Sequence, residues 1–345
     1  MSAELDAVVD EAAAQATAML GRRYQLPDRY EVGREKIREF AAAVQDGHPA
    51  HFREEDAAAS GHNRLVAPVT FTAILGGIAQ QRVFDEFLPH YDLSQLLHTD
   101  QRIRIHRPVY AGDILGCQIR LASFRRAHGQ DSFVFETDLV DSDGEAVQTS
   151  LTTAVARTGG VIDEQLARAA TSVMMSRGKP LDRITQMAEN GSAAPRSEAK
   201  GYLPRPRRLH SAVCVGDELP ARVVRLSRGD LVNYAGVSGD PNPIHWSDHV
   251  AGLVGLDSVV AHGMLTMGIG AGYLTQWLGD PGALLDYGVR FRSPVFVGSM
   301  EPAEIEFGGR VKSVDEHAGT ATIAMRATSA GKRIFGRAEA TVRLA

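Results

Sequence analysis

The chain is poor in cysteine. Only Cys117 and Cys214 occur among 345 residues, far apart and outside any CxxC or other ligand spacing. That argues against a disulfide framework and a zinc–thiolate centre, and it suits a reducing cytoplasm. An excess of positive charge is also missing. Lys and Arg number 37 against 42 Asp and Glu, a formal net charge of −5, whereas a protein held on nucleic-acid phosphate is normally basic. The N-terminal MSAELDAVVDEAAAQ lacks the basic and apolar regions of a secretory signal. No hydrophobic run is long enough for a bilayer. The uncharged stretch Gly263–Gly279 is short for that purpose and carries Thr, Gln and four glycines before Tyr273, so it reads as a buried helix. Neither the 34 glycines nor the 15 prolines are in excess, and a hydrophobic share of 44% excludes disorder over the whole length. What remains is an ordinary globular chain with room for two domains.

An internal repeat organises those domains. REKIREFAAAVQDGHPAHF (34–52) aligns without a gap on RGDLVNYAGVSGDPNPIHW (228–246), an offset of 194 with five identities in nineteen positions. The identities include Asp46/Asp240, Pro49/Pro243 and His51/His245. The same offset sets Val66-Ala67 on Val260-Ala261. A second block, DQRIRIHRPVYAG (100–112), lies over DYGVRFRSPVFVG (286–298) at offset 186, again with five identities. Two blocks in the same order mark two copies of one unit, about 1–157 and 205–345, joined by a connector over 158–204. Within the connector, Leu166–Met175 reads as a short helix and AENGSAAPRSEAKG (188–201) as a flexible linker. The basic run RPRRLH (205–210) reads as a solvated linker end.

Each unit reads as helix, loop, helix, then strands. In the second, Ser227 with Asp230 is a capping-box signature that starts a helix through about Val237. SGDPNPIH breaks it, since Asp-Pro and Asn-Pro are turn formers. An apolar helix then runs to Trp277, with glycines at 263, 268, 270 and 272 that suit close wrapping by other backbone. Both copies end in β-branched, partly alternating runs. One central helix plus a run of antiparallel strands is α+β.

The informative segment is YAGVSGDPNPIHWSDHVAGLVGLDSVVAHGM (234–264). Asp240 and His245 stand five residues apart across a proline-stiffened turn that can aim both side chains into one cavity. Gly263 opens the apolar helix, where N–H groups point outward. Taken singly these residues have plainer explanations. DPNP is often only a turn, His245 could be a structural histidine beside Trp246, and Asp240 could hold the turn through its own backbone. Their joint occurrence, in order, is what points to a site.

The segment resembles the MaoC-like, R-specific enoyl hydratase/dehydratase family, whose pattern is Tyr or Phe, then G-D-x-N-P-hydrophobic-H, then A-H-G-M. The two halves together resemble a fusion of the A and B subunits of the mycobacterial-type (3R)-hydroxyacyl-ACP dehydratase. The resemblance implies a double hotdog fold, each unit a long helix held in a curled antiparallel sheet. It implies Asp240 and His245 as a catalytic pair and the Gly263 N–H as an oxyanion donor. Asn242 and His262 become substrate-binding candidates, Asn242 being also a natural shaper of the loop. The implied reaction is dehydration of (3R)-3-hydroxyacyl thioesters, on acyl carrier protein, to trans-2-enoyl thioesters in fatty-acid elongation. No metal or organic cofactor is implied. Hydration of enoyl-CoA in degradation is the neighbouring alternative, and a non-catalytic acyl-thioester binder a further one. RPRRLH, Arg102/Arg104/Arg107 and Arg290/Arg292 are candidates for meeting an acidic carrier protein or CoA phosphates. A homodimer of the fused pair is compatible with this reading.

The first copy departs from the pattern. Gln45 replaces Gly239, His48 replaces Asn242, and AHGM becomes APVT, so that Pro68 lacks an N–H and Val69 stands where the glycine should be. Asp46 and His51 persist. This half is expected to hold the acyl chain rather than to react.

Overall fold

The structure, a computed structural model, describes residues 2–91, 96–158, 164–174, 182–188 and 205–345. Apart from residue 188, the stretch read as a flexible linker lies outside the described residues. The first half contains α1 (Ser2–Met19), β1 (Arg23–Gln25), β2 (Tyr30–Glu31), α2 (Arg34–Ala43), α3 (Glu54–Ala59), the central helix α4 (Ala73–Phe87), β3 (Leu97–Ile105), β4 (Ile114–Ala127), β5 (Gln130–Val140) and β6 (Ala146–Arg157). Between the halves lie α5 (Glu164–Val173), close to the expected short helix, and β7 (Thr185–Gln186). The second half contains β8 (Glu218–Leu226), α6 (Arg228–Ser238), α7 (Asp248–Leu253), the central helix α8 (Gly263–Leu278), β9 (Leu284–Phe291), β10 (Ala303–Asp315), β11 (Thr320–Ser329), β12 (Lys332–Arg333) and β13 (Phe335–Arg343).

One antiparallel sheet runs through both halves in the order β7-β1-β4-β5-β6-β3-β9-β13-β11-β10-β8. Outward from the β3–β9 seam the order is matched: β6 with β13, β5 with β11, β4 with β10, β1 with β8. The seam pairs Asp100 with Arg290, Arg102 with Gly288 and Arg104 with Asp286. Because the repeat makes Asp100 the counterpart of Asp286 and Arg104 that of Arg290, the ladder maps onto itself, as an isologous contact does. This is the double hotdog expected. Arg290 donates to Asp100 and Arg102 to Asp286, each at 2.9 Å. These pairs are largely exposed, so each contributes at most about 1 kcal/mol, and they serve register more than stability.

Local chemistry explains the elements that carry the site. Ser227 and Asp230 form the capping box of α6, and Gly239 ends the helix in the left-handed region at φ 77. Gln45, at the same point after α2, is forced to φ 51 without glycine's freedom. The glycines of α8 are wrapped by side chains rather than by backbone. A Cβ at Gly268 would meet Val44 at 2.8 Å, one at Gly270 the Tyr287 hydroxyl at 2.5 Å, and one at Gly272 the Asp46 carboxyl at 3.0 Å. Two of these three neighbours belong to the other half, so the site loop of the first half is pressed onto the central helix of the second. Helices α2 and α6 meet through Phe40 and Tyr234, ring centroids 6.1 Å apart.

The basic run at 205–210 is packed rather than free. Arg208 donates from Nε to the Trp277 carbonyl at 3.0 Å and lies over the indole ring, and the Arg207 N–H donates to Leu278. Cations thus sit at the C-terminal end of α8, where its dipole favours them. A buried clamp joins the halves nearby. His62 bridges Tyr110, at 3.1 Å, and Asp280, at 2.9 Å, while Asp280 accepts from the Arg205 and Gly282 N–H groups. Cys117 is buried, Cys214 exposed, and neither is in a disulfide. Among the described residues no helix is long and apolar enough to cross a membrane.

Candidate active site

The loop from Gly239 to Trp246 is held by its own side chains. Asp240 Oδ1 accepts from the Asn242 N–H at 3.0 Å, and Asn242 Oδ1 accepts from the Ile244 N–H at 3.3 Å, capping the short turn Pro243–His245. Asn242 therefore acts on the loop itself. In the first half His48 does the same through Nδ1, which accepts from the Ala50 N–H at 3.3 Å.

His245 is 7% exposed, and its Nδ1–H donates to the Val260 carbonyl at 2.7 Å. That bond leaves the Nε2 lone pair toward the cleft. Burial holds the imidazole below its ordinary pKa, with the charge of Asp240 opposing that effect, so the ring is neutral near neutral pH. His262 is 1% exposed and stacks on His245, centroids 3.6 Å apart. Burial and then His245 push its pKa well down, and neither of its ring nitrogens has a hydrogen-bond partner among the described residues. Tyr234 meets His262 edge-on at 4.9 Å. One donor atom each of Asp240, His245 and His262 lies within 4.8 Å of the others. Stacked rings aim their in-plane lone pairs side by side rather than at one point, which suits proton traffic better than a shared metal.

Gly263 is the first residue of α8, and no side chain caps that helix start. Its N–H is therefore one of the outward-facing donors of a helix N-terminus. A Cβ there would stand 3.2 Å from the Phe291 ring, a tight fit that any larger residue could meet only if the ring moved. The structure thus brings Asp240, His245 and His262 together, with Gly263 next in the chain to His262, and engages Asn242 Oδ1 within the loop. Sequence reasoning missed Phe291 and, from the other half, His98, whose ring lies edge-on to Phe291 at 5.1 Å.

In the first half the matching pair is buried, while Val66–Val69 line a small cavity with Ile105, Arg107 and Gln148. Asp46 and His51 are 3% and 0% exposed, with His51 Nε2 at 3.2 Å from the Asp46 carboxylate as a charge contact. His51 Nδ1–H donates to Val66 at 2.6 Å, as His245 does to Val260. Burial pushes the Asp46 carboxyl up, but the charge and hydrogen bonding of His51 outweigh it and the net shift is down. For His51 burial pushes down, Asp46 outweighs it, and the net shift is up. No helix begins at Val69. The chain passes through turns to Thr72, and α4 starts at Ala73, so the donor array of the second half has no equivalent.

Of the arginines considered for a carrier, Arg102 and Arg290 are tied to Asp286 and Asp100. Arg107 is tied to Asp113 and Asp141. Arg292 is exposed.

Fold and side-chain cluster together fit a double hotdog of the hydratase/dehydratase class, in which the carboxylate of the second-half pair is partly exposed and that of the first is buried. The comparisons with known proteins agree. The MaoC like domain family matches residues 211–328, and the family described as the FAS1-like dehydratase domain region matches 18–150. A solved structure described as a MaoC-like dehydratase is 42% identical, with a TM-score of 0.88, over 96% of this chain and 100% of its own. A UPF0336 protein of Mycolicibacterium paratuberculosis is 39% identical over 165 residues, 48% of this chain and 95% of the relative. A Mycobacterium tuberculosis protein described as a double hotdog, 15% identical with a TM-score of 0.63 over 94% of this chain and 96% of its own, shares the fold. The chain belongs to the MaoC-like dehydratase family, as a two-unit member.

Proposed function

We propose that the second half interconverts (3R)-3-hydroxyacyl and trans-2-enoyl thioesters, with Asp240 and His245 as the acid–base pair and the Gly263 N–H as oxyanion donor. The observation that carries this reading is the partly exposed Asp240 set within 4.8 Å of His245 and His262 beside the uncapped start of α8. Dehydration removes one proton from C2 and delivers one to the departing C3 hydroxyl, so a pair that exchanges protons ends each turnover as it began. His245, neutral and with Nε2 free, is suited to accept a proton. The developing enolate oxygen on the thioester needs a preorganised donor, and a glycine N–H at a helix start allows close approach.

The first half holds the acyl chain in this reading. Gly76 of α4 is buried, yet a Cβ built there would meet nothing within 4 Å. Its counterpart Gly270 has that space filled by Tyr287. Room beside the central helix therefore lies in the half that lacks the donor array. The physiological direction is dehydration on acyl carrier protein during chain elongation, with hydration of enoyl-CoA as the alternative. Turnover of matched CoA and carrier-protein substrates over a series of chain lengths tests both the reaction and the carrier. Absence of turnover on every enoyl and 3-hydroxyacyl thioester would sink the reading and favour a non-catalytic binder.

A further inference from the structure

Strand β3 belongs to the first half, but its first residues reach over the cleft of the second. The β3–β9 ladder ends at Asp100–Arg290, and β3 shifts register against β6 between His98 and Asp100. Such a bulge re-aims a side chain. Here it sets the His98 ring against Phe291, centroids 5.1 Å apart and planes at 68°. Phe291 in turn flanks Gly263, its ring 3.2 Å from where a Cβ would be.

His98 is itself pinned. Its Nε2 lies 3.1 Å from both the Asp100 carbonyl and Gln101 Oε1, so Nε2 carries the hydrogen. Gln101 Oε1 also accepts from Thr152 at 2.8 Å, and Thr152 from Gln80 of α4 at 3.3 Å. Hydrogen bonds from Gln80 through Thr152 and from His98 thus converge on Gln101 Oε1, linking the central helix of one half to the aromatic wall of the other half's site. The repeat supplies the contrast. The positions matching His98, Phe291 and Gly263 on the other side of the seam are Leu284, Ile105 and Val69. Imidazole, phenyl ring and glycine occur together only on the side of the Asp240–His245 pair.

We propose that His98 is a positioning residue for the second-half site, contributed by the first half, which holds Phe291 against Gly263 and so fixes the slot in which a thioester lies over the Gly263 N–H. The proposal rests on the acid–base reading above. Its test is hydration of crotonyl-CoA by the full chain with His98→Ala and His98→Phe, alongside the Phe291 ring-flip rate from 13C-phenylalanine NMR. Loosening a positioning group costs the reaction more than binding, so His98→Ala should lower kcat about tenfold with KM within about twofold, and speed the ring flip. His98→Phe keeps a ring there but loses the Nε2 bonds that pin it, and should restore part of both. A His98→Ala protein with unchanged kcat, even one of lowered Tm, would make His98 purely structural and overturn the proposal. So would a lowered kcat with an unchanged ring flip. If the wild type fails to hydrate any enoyl thioester while Asp240→Asn is equally inert, the acid–base reading fails, and the ring-flip comparison still decides whether His98 holds Phe291.

Discussion

The two Asp–His pairs differ by what surrounds them, not by their spacing. Both sit five residues apart on a turn capped from the same position, and both histidines donate Nδ1–H to the matching carbonyl, Val66 or Val260. In the first half the carboxylate is pressed under Gly272 and closes on His51, so each neutralises the other. In the second half His262 occupies the place beside the imidazole, and Asp240 stays partly exposed. The same acid–base spacing inside one chain is a buried brace in one copy and a partly exposed pair in the other. The first is a pair with its charges satisfied internally; the second has unmet capacity facing a cleft.

The sharpest way to break the comparison is to remove each pair. Asp240→Asn and His245→Ala should each lower kcat by about 10²–10⁴-fold or more while circular dichroism stays unchanged. Asp46→Asn with His51→Ala should leave most short-chain turnover. Should that double variant prove folded yet as inactive as Asp240→Asn, the first half would share in the chemistry and the division would be wrong.

A single removal in the closed pair acts on stability instead. Asp46→Ala leaves the buried His51 Nε2 without a partner and should cost about 1–3 kcal/mol in denaturant unfolding. The pH dependence follows from the directions of the shifts. His51 is raised above 6.5, so its contribution is full below that value and is lost as pH rises through its folded pKa. Asp46 is lowered below 3.8, so its contribution is present above that value and lost as pH falls through its folded pKa. The Tm gap between wild type and the Asp46→Asn/His51→Ala variant should therefore be widest between 3.8 and 6.5 and narrow toward alkaline pH. A gap that widens above neutrality would contradict the closed pair.

Chain-length selectivity sharpens the comparison further. Gly76→Leu fills the space beside α4 and should cut turnover of long-chain substrates about tenfold while leaving short ones within about twofold. Equal losses at all lengths would place the chain elsewhere. The smallest effect concerns the loop. Gln45→Gly relieves a left-handed conformation and should stabilise by up to about 1 kcal/mol, less what is lost with the Gln45 bond to the Arg225 carbonyl. A loss of stability would mean that this bond outweighs the backbone strain.

Much of this was legible in the sequence where the signal is local. The repeat, the capping box at Ser227, the proline turn and the glycine at 263 all lie within short segments whose chemistry names its own conformation. Four features were not. The closing of Asp46 on His51 depends on Gly272, more than two hundred residues away, leaving room for a carboxylate. The late start of α4 had a signal in Pro68 and the β-branched Thr70 and Thr72, but only packing fixed it at Ala73. His98 lies two residues before the aligned block that begins at Asp100, so nothing in the repeat drew it out. The apolar, glycine-rich helix could be placed from composition, but not the Val44, Asp46 and Tyr287 side chains that fill its notches.

The seam at Arg102 and Gly288 has an evolutionary consequence. In a dimer of identical subunits every substitution appears on both sides of the dyad at once, so a change that suits one cleft is imposed on the other. Covalent tandem copies escape that coupling. Leucine can stand at the position equivalent to histidine, and valine at the one equivalent to glycine, because each mutation is now inherited by one side alone.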